Sequence, residues 1–307
     1  MNGLIGLGGT VSLLLLFGVM IGLADRQRFA FRWLVTAALL VAFNDLMLTR
    51  GYRVIPNLFA GSDWNWEGKA LALGVTLALA ALPIFGWRHV GLTLKQKPGS
   101  LKTALPVAAI YCAFFLALAL MFPAEPANAD EIAFQLTMPG FEEEPFYRGI
   151  LLVALDRAFL GRVRFLGVDW GWGALVSCLL FGMAHAFGYS NGHFSLDPLT
   201  MALTAVPALI AVWLRLRTGI LLASFSQPLA DAMAKKLIVL APETGESCRA
   251  SRRHRSAGSP SSCISSNMAS ARASPRAHSC GSGSAMPPEL RSSRAFRTDS
   301  SFPSGRT

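Results

Sequence analysis

The stretch GFEEEPFYRGILLVAL, residues 140–155, places three consecutive glutamates and an arginine at the start of an apolar run. Ionisable side chains are costly inside a lipid bilayer. Those found there usually face the interior of a helix bundle, where they form pairs or carry out chemistry. What these four residues do therefore depends on whether the run crosses a membrane.

The composition indicates a polytopic membrane protein. Of its 307 residues, 52% are hydrophobic and only 15% are charged, and the mean hydropathy is +0.43. Several apolar runs approach the roughly 17–25 residues that a helix needs to cross the hydrocarbon. We therefore predict an all-α bundle of about eight transmembrane helices embedded in the lipid bilayer. The predicted spans are 4–23, 33–48, 69–87, 103–122, 143–160, 173–190, 198–214 and 218–240.

The net charge of +10 comes mainly from the C-terminal tail, residues 249–307. This tail contains ten arginines against Glu289 and Asp299, together with 17 serines and very few large apolar residues. Such a segment cannot bury enough apolar surface to order itself, so we expect it to be disordered. The abrupt change in composition where the tail starts also resembles the product of a shifted reading frame. A tail that binds lipid or nucleic acid is a further alternative, but we expect no nucleic-acid partner for the nearly neutral body.

Basic residues occur in alternate loops between the predicted spans. Loops rich in Lys and Arg usually lie in the cytoplasm. The 123–138 loop instead has acidic residues and no Lys or Arg, so we predict that it lies outside the cytoplasm. The 49–68 loop, with Arg50 and Arg53, fits this pattern poorly. The basic residues are Arg26, Arg28 and Arg32 after the first span, Arg88, Lys95, Lys97 and Lys102 after the third, Arg162 and Arg164 after the fifth, and Arg215 and Arg217 after the seventh.

Spacing distinguishes two of the three glutamates. Glu144 and Arg148 are four residues apart, with the acid first, which favours an ion pair on a helix. Glu143 is turned about 100° from Glu144, so we predict that it lacks this partner, stays unpaired and can act as a base. The alternative is that these acids only stabilise a helix N-terminus near the interface, with Pro139 or Pro145 in its first turn.

Two later helices add polar residues. In LLFGMAHAFGY, His185 follows Phe181 by one turn near the end of an apolar helix. A lone histidine of this kind can be structural, but the predicted topology places it in the same half of the bilayer as Glu143. In SFSQPLADAM, Gln227 and Asp231 share a face of the last predicted helix. Three helices are therefore predicted to bring polar groups together.

The combination of EExxxR, FxxxH and a later polar pair resembles the CPBP family of type II CAAX prenyl proteases and their bacterial relatives, also called the Abi family. Glu143, Glu144 and Arg148 match the first motif, and Phe181 with His185 matches the second. The third motif of the family is His-x-x-x-Asn/Asp, whereas this chain has Gln227 and Asp231. The family histidine is therefore replaced. The resemblance covers roughly residues 103–240, after N-terminal transmembrane helices in 1–102.

This resemblance implies an intramembrane endopeptidase of the bacterial inner membrane that acts on a membrane-associated protein or peptide, with CAAX-type processing as one reaction. Glu143 would activate water and His185 would assist, while Glu144 and Arg148 would organise the site. Gln227 and Asp231 would face the oxyanion, although an ionised Asp231 would repel it. Two glutamates and a histidine could ligate zinc, but we favour a mechanism without metal or another cofactor. The alternatives are a catalytically silent immunity or scaffold protein and a proton-coupled carrier.

Overall fold

Helices form most of the structure, and two short β-hairpins lie between them. The computed structural model of the chain describes residues 1–56, 61–121 and 128–221. The helices are α1 Asn2–Ala24, α2 Phe31–Thr49, α3 Trp66–Ala81, α4 Leu101–Met121, α5 Ala129–Met138, a π-helix Pro139–Leu151, α6 Leu152–Ala158, α7 Trp172–Ala186 and α8 Pro198–Thr218. The strands are β1 Val163–Phe165, β2 Val168–Trp170, β3 Phe187–Ser190 and β4 His193–Leu196.

The predicted helical character is confirmed, whereas the count of about eight transmembrane helices is not. Three helices in the described residues are long and apolar enough to cross a membrane: Asn2–Ala24, Phe31–Arg53 and Pro198–Thr218. Two shorter apolar helices, Leu101–Ala117 and Trp172–Ala186, add to them. Apart from its first four residues, the predicted span 218–240 lies outside the described residues, as does the tail 249–307. The antiparallel hairpins β1–β2 and β3–β4 were not predicted.

The helix that carries the glutamates begins earlier than predicted. We expected residues 123–138 to form a loop, but α5 starts at Ala129, where the Asn128 side chain accepts a hydrogen bond of 2.7 Å from the Glu131 amide. Pro139 keeps helical backbone angles (φ −58°, ψ −45°), so α5 runs into the π-helix without a break. A proline ring clashes with the carbonyl four residues earlier in an α-helix. The wider turn of the π-helix gives that ring more room.

Small and branched apolar residues form the centre of the bundle. Leu34 of α2, Ile150 and Leu151 of the π-helix and Leu155 of α6 are fully buried and belong to one core cluster. The outer faces of several helices carry large exposed apolar side chains instead. A water-facing surface would disfavour these side chains, while lipid accommodates them. Examples are Leu16, Phe17, Met20, Leu105, Ile110, Phe114, Leu199, Leu203 and Val206.

Four basic segments meet at one end of the bundle, which we call the basic end: residues 25–30, 82–101, 159–171 and 215–221. The Leu160 amide donates to the Arg28 carbonyl over 2.8 Å, which joins the first and third segments. The Lys97 ammonium donates to the Leu216 carbonyl over 2.8 Å, which joins the second and fourth. The structure therefore places the alternate basic loops on one side, as their spacing predicted.

Candidate active site

A polar cluster lies at the end of the bundle opposite the basic end. It forms where α2 and α7 finish and where α3 and the π-helix begin. Asn44 comes from near the end of α2, Lys69 from the first turn of α3, and His185 from the last turn of α7. Three separate helices thus contribute polar side chains to one region, next to the three glutamates of the π-helix.

The glutamates and Arg148 all lie on the π-helix, Pro139–Leu151. A π-helix bonds each N–H to the carbonyl five residues earlier, and such segments are rare and frequent at functional sites. Pro145 lies inside it and donates no backbone hydrogen bond. The three glutamates diverge: Glu142 and Glu143 contact α3, whereas Glu144 contacts Arg148.

The predicted pair of Glu144 and Arg148 is confirmed. The Arg148 Nη1 atom lies 3.4 Å from the Glu144 Oε1 atom, and the two side chains are 1% and 2% exposed. The Arg148 guanidinium also lies over the Phe181 ring of α7, with Cζ 4.0 Å from the ring centre. A buried guanidinium needs such compensation, because burying an unpaired charge is costly. This pair therefore fixes the π-helix against α7.

The prediction that Glu143 lacks a partner is wrong. The Lys69 ammonium lies 2.5 Å from Glu143 Oε1 and 2.9 Å from Glu142 Oε2, and it bridges the two carboxylates. The Asn44 amide donates to Glu142 Oε1 over 3.1 Å. Sequence reasoning missed Lys69 and Asn44 because they precede the glutamates by many residues. The available signal was one lysine at the start of an apolar run and one asparagine inside another, which marks candidate intramembrane sites.

Solvent access separates the three carboxylates. The Glu143 side chain is 18% exposed, compared with 1% for Glu142 and 2% for Glu144. Glu143 Oε2 accepts no hydrogen bond from a described residue, so one of its oxygens remains available. With all groups ionised, the three carboxylates and the cations of Lys69 and Arg148 leave one negative charge on the described part of the cluster. Glu143 is therefore the most exposed of the three glutamates.

His185 is oriented by the helix that carries it. Its Nδ1 atom lies 2.9 Å from the Phe181 carbonyl oxygen. Because a carbonyl only accepts, Nδ1 carries the proton, and Nε2 of the neutral ring keeps its lone pair. The His185 ring also contacts the Phe181 ring, with 4.7 Å between centres. The FxxxH spacing thus places one phenylalanine against both Arg148 and His185.

His185 and Glu143 belong to the same electrostatic environment. His185, Arg148 and Lys69 all interact electrostatically with the Glu143 carboxylate. The charges of Glu142 and Glu143 also act on the Tyr147 hydroxyl. The structure therefore brings together Glu143, Glu144, Arg148 and His185. Gln227 and Asp231 lie outside the described residues.

A metal centre needs several ligating side chains grouped together. Among residues 1–56, 61–121 and 128–221, no three His, Cys, Asp or Glu side chains are grouped to hold one. The Lys69 ammonium also lies between Glu142 and Glu143, where a bridging ion would bind.

The family match covers the helices that carry most of this cluster. Residues 128–233 match the model of the family described as type II CAAX prenyl endopeptidase, Rce1-like. This part of the chain is similar to the Rce1-like family. The Rce1-like segment contains the π-helix, α7 and α8, and its limits also include Gln227 and Asp231. Asn44 and Lys69 lie outside it. No curated protein and no solved structure matches the chain.

The apolar helices, together with the family match, support an integral membrane location. Chemically, the cluster offers an accessible carboxylate with one available oxygen and a neighbouring imidazole. A carboxylate in such an environment can accept a proton from water, and buried cations around it can stabilise developing negative charge.

Proposed function

We propose that this protein is an intramembrane endopeptidase in which Glu143 activates the attacking water. The observation that carries the proposal is the difference in exposure among the glutamates: Glu143 is 18% exposed, while both of its neighbours are almost fully buried. Glu143 also lies in the Rce1-like segment, at the position of the first glutamate of the EExxxR motif. An accessible carboxylate among buried charges is suited to general-base catalysis.

In the proposed reaction, Glu143 Oε2 takes a proton from water, and the resulting hydroxide attacks the carbonyl carbon of the scissile peptide bond. The carbonyl oxygen becomes an oxyanion. Glu143 then returns the proton to the leaving nitrogen, so that the C–N bond breaks and a carboxylic acid and an amine form, which ionise to a carboxylate and an ammonium group. His185 Nε2 accepts a hydrogen bond from the water and orients it. No metal takes part.

Gln227 and Asp231 are proposed to face the oxyanion. A glutamine side chain carries two N–H donors, and amide donors can hold a tetrahedral oxyanion. Asp231 suits this position only when it is protonated or paired, because an ionised carboxylate would repel the oxyanion. Both assignments follow from the position of these residues in the third motif.

The substrate is proposed to be a membrane-associated protein or peptide, and the proposed location is the bacterial inner membrane. The matched family is described as CAAX prenyl endopeptidases, so cleavage near a prenylated C-terminus is one candidate reaction. Helices α1, α4 and α8 expose large apolar side chains that suit contact with lipid. A membrane-associated substrate would lie in the same bilayer as these helices.

A catalytically silent member of the family is the second candidate. Two observations favour it: the family histidine of the third motif is replaced by Gln227, and Glu143 forms an ion pair with Lys69. An ion pair stabilises the charged carboxylate and so makes it a weaker base. Such a protein would bind a membrane partner without cleaving it.

Membrane proteomics can distinguish these two functions. Cells that produce the wild type, Glu143→Gln or Asp63→Asn are compared for new peptide termini in membrane proteins. Asp63 is an exposed carboxylate outside the cluster and serves as the matched control. We expect at least one terminus that is present with the wild type and Asp63→Asn and absent with Glu143→Gln. Identical termini in all three samples would support the silent protein.

A further inference from the structure

We infer that Lys69 is a positioning residue for the Glu143 base, supplied by a helix outside the Rce1-like segment. This inference rests on the proposed function of Glu143. Lys69 lies in the first turn of α3, whereas the family match begins at residue 128. The catalytic region would then depend on the N-terminal helices as well as on the family core.

Glu142 and Asn44 fix the position of the Lys69 ammonium. Lysine has a long flexible stem, so a single contact would hold its end weakly. Here Glu142 is 1% exposed and accepts hydrogen bonds from both Lys69 and Asn44, over 2.9 and 3.1 Å. The Lys69 side chain is itself only 15% exposed. The buried Glu142 therefore anchors the ammonium beside Glu143.

The anchored ammonium orients the Glu143 carboxylate. It holds Oε1 at 2.5 Å, which leaves Oε2 as the oxygen available to water. A freely rotating carboxylate would present either oxygen in many directions and would lose entropy when it is oriented for the reaction. A contact that already orients the catalytic group removes this entropy cost from the reaction. Lys69 thus selects the oxygen that accepts the proton.

The same ammonium lowers the repulsion between the two adjacent carboxylates. Like charges at close range disfavour ionisation, so one of two unpaired neighbours tends to hold a proton. The groups that act on Glu143 are Lys69, Glu142, Arg148, His185 and Tyr147. Among them, Lys69 contacts both Glu142 and Glu143 directly. Lys69 thus helps Glu143 to remain an ionised base beside Glu142.

The competing explanation is that Lys69 only neutralises the buried Glu142. A double variant separates the two roles. Lys69→Met alone leaves Glu142 without its cation, so it can lose both folding stability and activity. Lys69→Met combined with Glu142→Gln removes both charges, which is often tolerated in a buried pair. The double variant should regain stability, but it still lacks the group that orients Glu143.

The test measures cleavage of a fluorogenic membrane-spanning peptide in nanodiscs, together with thermal unfolding. The proteins are wild type, Glu143→Gln, Lys69→Met, Lys69→Arg and the double variant, with Lys95→Met at the basic end as control. We expect the double variant to unfold near the wild-type temperature. Its kcat should fall by about 10²-fold, the lower end of the range of general-base effects. KM should change little. Lys69→Arg should recover most of the rate, since its guanidinium can also contact two carboxylates.

Each result decides between the hypotheses. A double variant that regains both stability and rate would show that Lys69 only neutralises Glu142, and a Lys69→Met protein with wild-type kcat would likewise overturn the inference. Cleavage by wild type that is no faster than by Glu143→Gln would instead reject the proposed function itself. The wild-type and Glu143→Gln comparison thus tests the base, and the Lys69 variants test its positioning.

Discussion

The Lys69 ammonium and the Glu143 carboxylate form an ion pair of 2.5 Å between α3 and the π-helix. The same ammonium contacts the fully buried Glu142, so the pair is held in place from one side. Glu143 keeps more exposure than either neighbouring glutamate. A carboxylate that is fixed at one oxygen and accessible at the other is the arrangement a general base requires.

Glu144→Gln should destabilise the protein more than it changes the chemistry of Glu143. The substitution leaves Arg148 buried without its anionic partner, and removing one member of a buried pair typically costs roughly 3–5 kcal/mol. Thermal unfolding in detergent measures the loss. The double variant Glu144→Leu/Arg148→Met removes both charges and should recover much of the stability. A single variant that unfolds at the wild-type temperature would contradict the proposed importance of the pair.

The orientation of the bundle can be tested with cysteine labelling. The native cysteines are first replaced by serine, and one cysteine is introduced at Ala129 or at Gln96, both exposed positions. A membrane-impermeant maleimide added to whole cells should label the Ala129 position and miss the Gln96 position, because the basic end is predicted to face the cytoplasm. The opposite labelling pattern would reverse the orientation and open the polar cluster to the cytoplasm.

Local spacing predicted the parts of the site that depend on one helix. Glu144 and Arg148 are four residues apart, and Phe181 and His185 are also four apart, so the periodicity of a helix was sufficient to place each pair. Lys69 could not be placed in this way. Its contact with Glu143 depends on the packing of α3 beside the π-helix, and an isolated lysine at the start of an apolar run does not show which helix it will meet.

The two hairpins and the π-helix were missed for different reasons. Asn191–Gly192 is a typical two-residue hairpin turn, with φ of 51° and 83°, but the predicted helix 173–190 hid the strand before it. The turn at Leu166–Gly167 carries a weaker signal, since a leucine at φ 50° is uncommon. The π-helix was missed because Pro139 and Pro145 suggested the start of a helix. In the structure both prolines lie within a continuous helix that has a wider turn.

Gln227 stands where the similar family has a histidine, and this difference should make the proposed cleavage slow. In the predicted site Gln227 donates to the oxyanion, and the loss of one well-placed donor costs on the order of 10²–10³ in rate. Gln227→His should therefore raise the cleavage rate of a membrane peptide, and Gln227→Leu should lower it. Pro228 complicates the geometry, because a proline lacks an N–H and can kink a helix. The histidine variant is therefore also tested together with Pro228→Asn.

Three results would separate the outcomes of that series. A rate that rises with histidine and falls with leucine would support the oxyanion role. Equal rates in wild type, Gln227→His and Gln227→Leu would exclude Gln227 from the reaction. Rates at the Glu143→Gln level in wild type, Gln227→His and the proline double variant would favour the silent protein.

Truncation after residue 248 should leave membrane insertion and cleavage unchanged. The tail 249–307 contributes a charge of +8 but almost no large apolar residues, so its sequence offers no packed core to lose. Quantitative immunoblotting of membrane fractions and the peptide assay measure both properties. A truncated protein that fails to accumulate in the membrane would show that the tail is needed.

The most direct measurement of the central claim is cleavage of a membrane-spanning peptide by purified wild type and Glu143→Gln in nanodiscs, with products identified by mass spectrometry. The amide still accepts a hydrogen bond from Lys69 but cannot serve as a base, so the fold should be retained within about 1 kcal/mol. We predict that the wild type cleaves at a defined bond and that Glu143→Gln is slower by about 10²–10⁴-fold. Asp63→Asn should match the wild type. Equal cleavage by wild type and Glu143→Gln would contradict the assignment of Glu143 as the base.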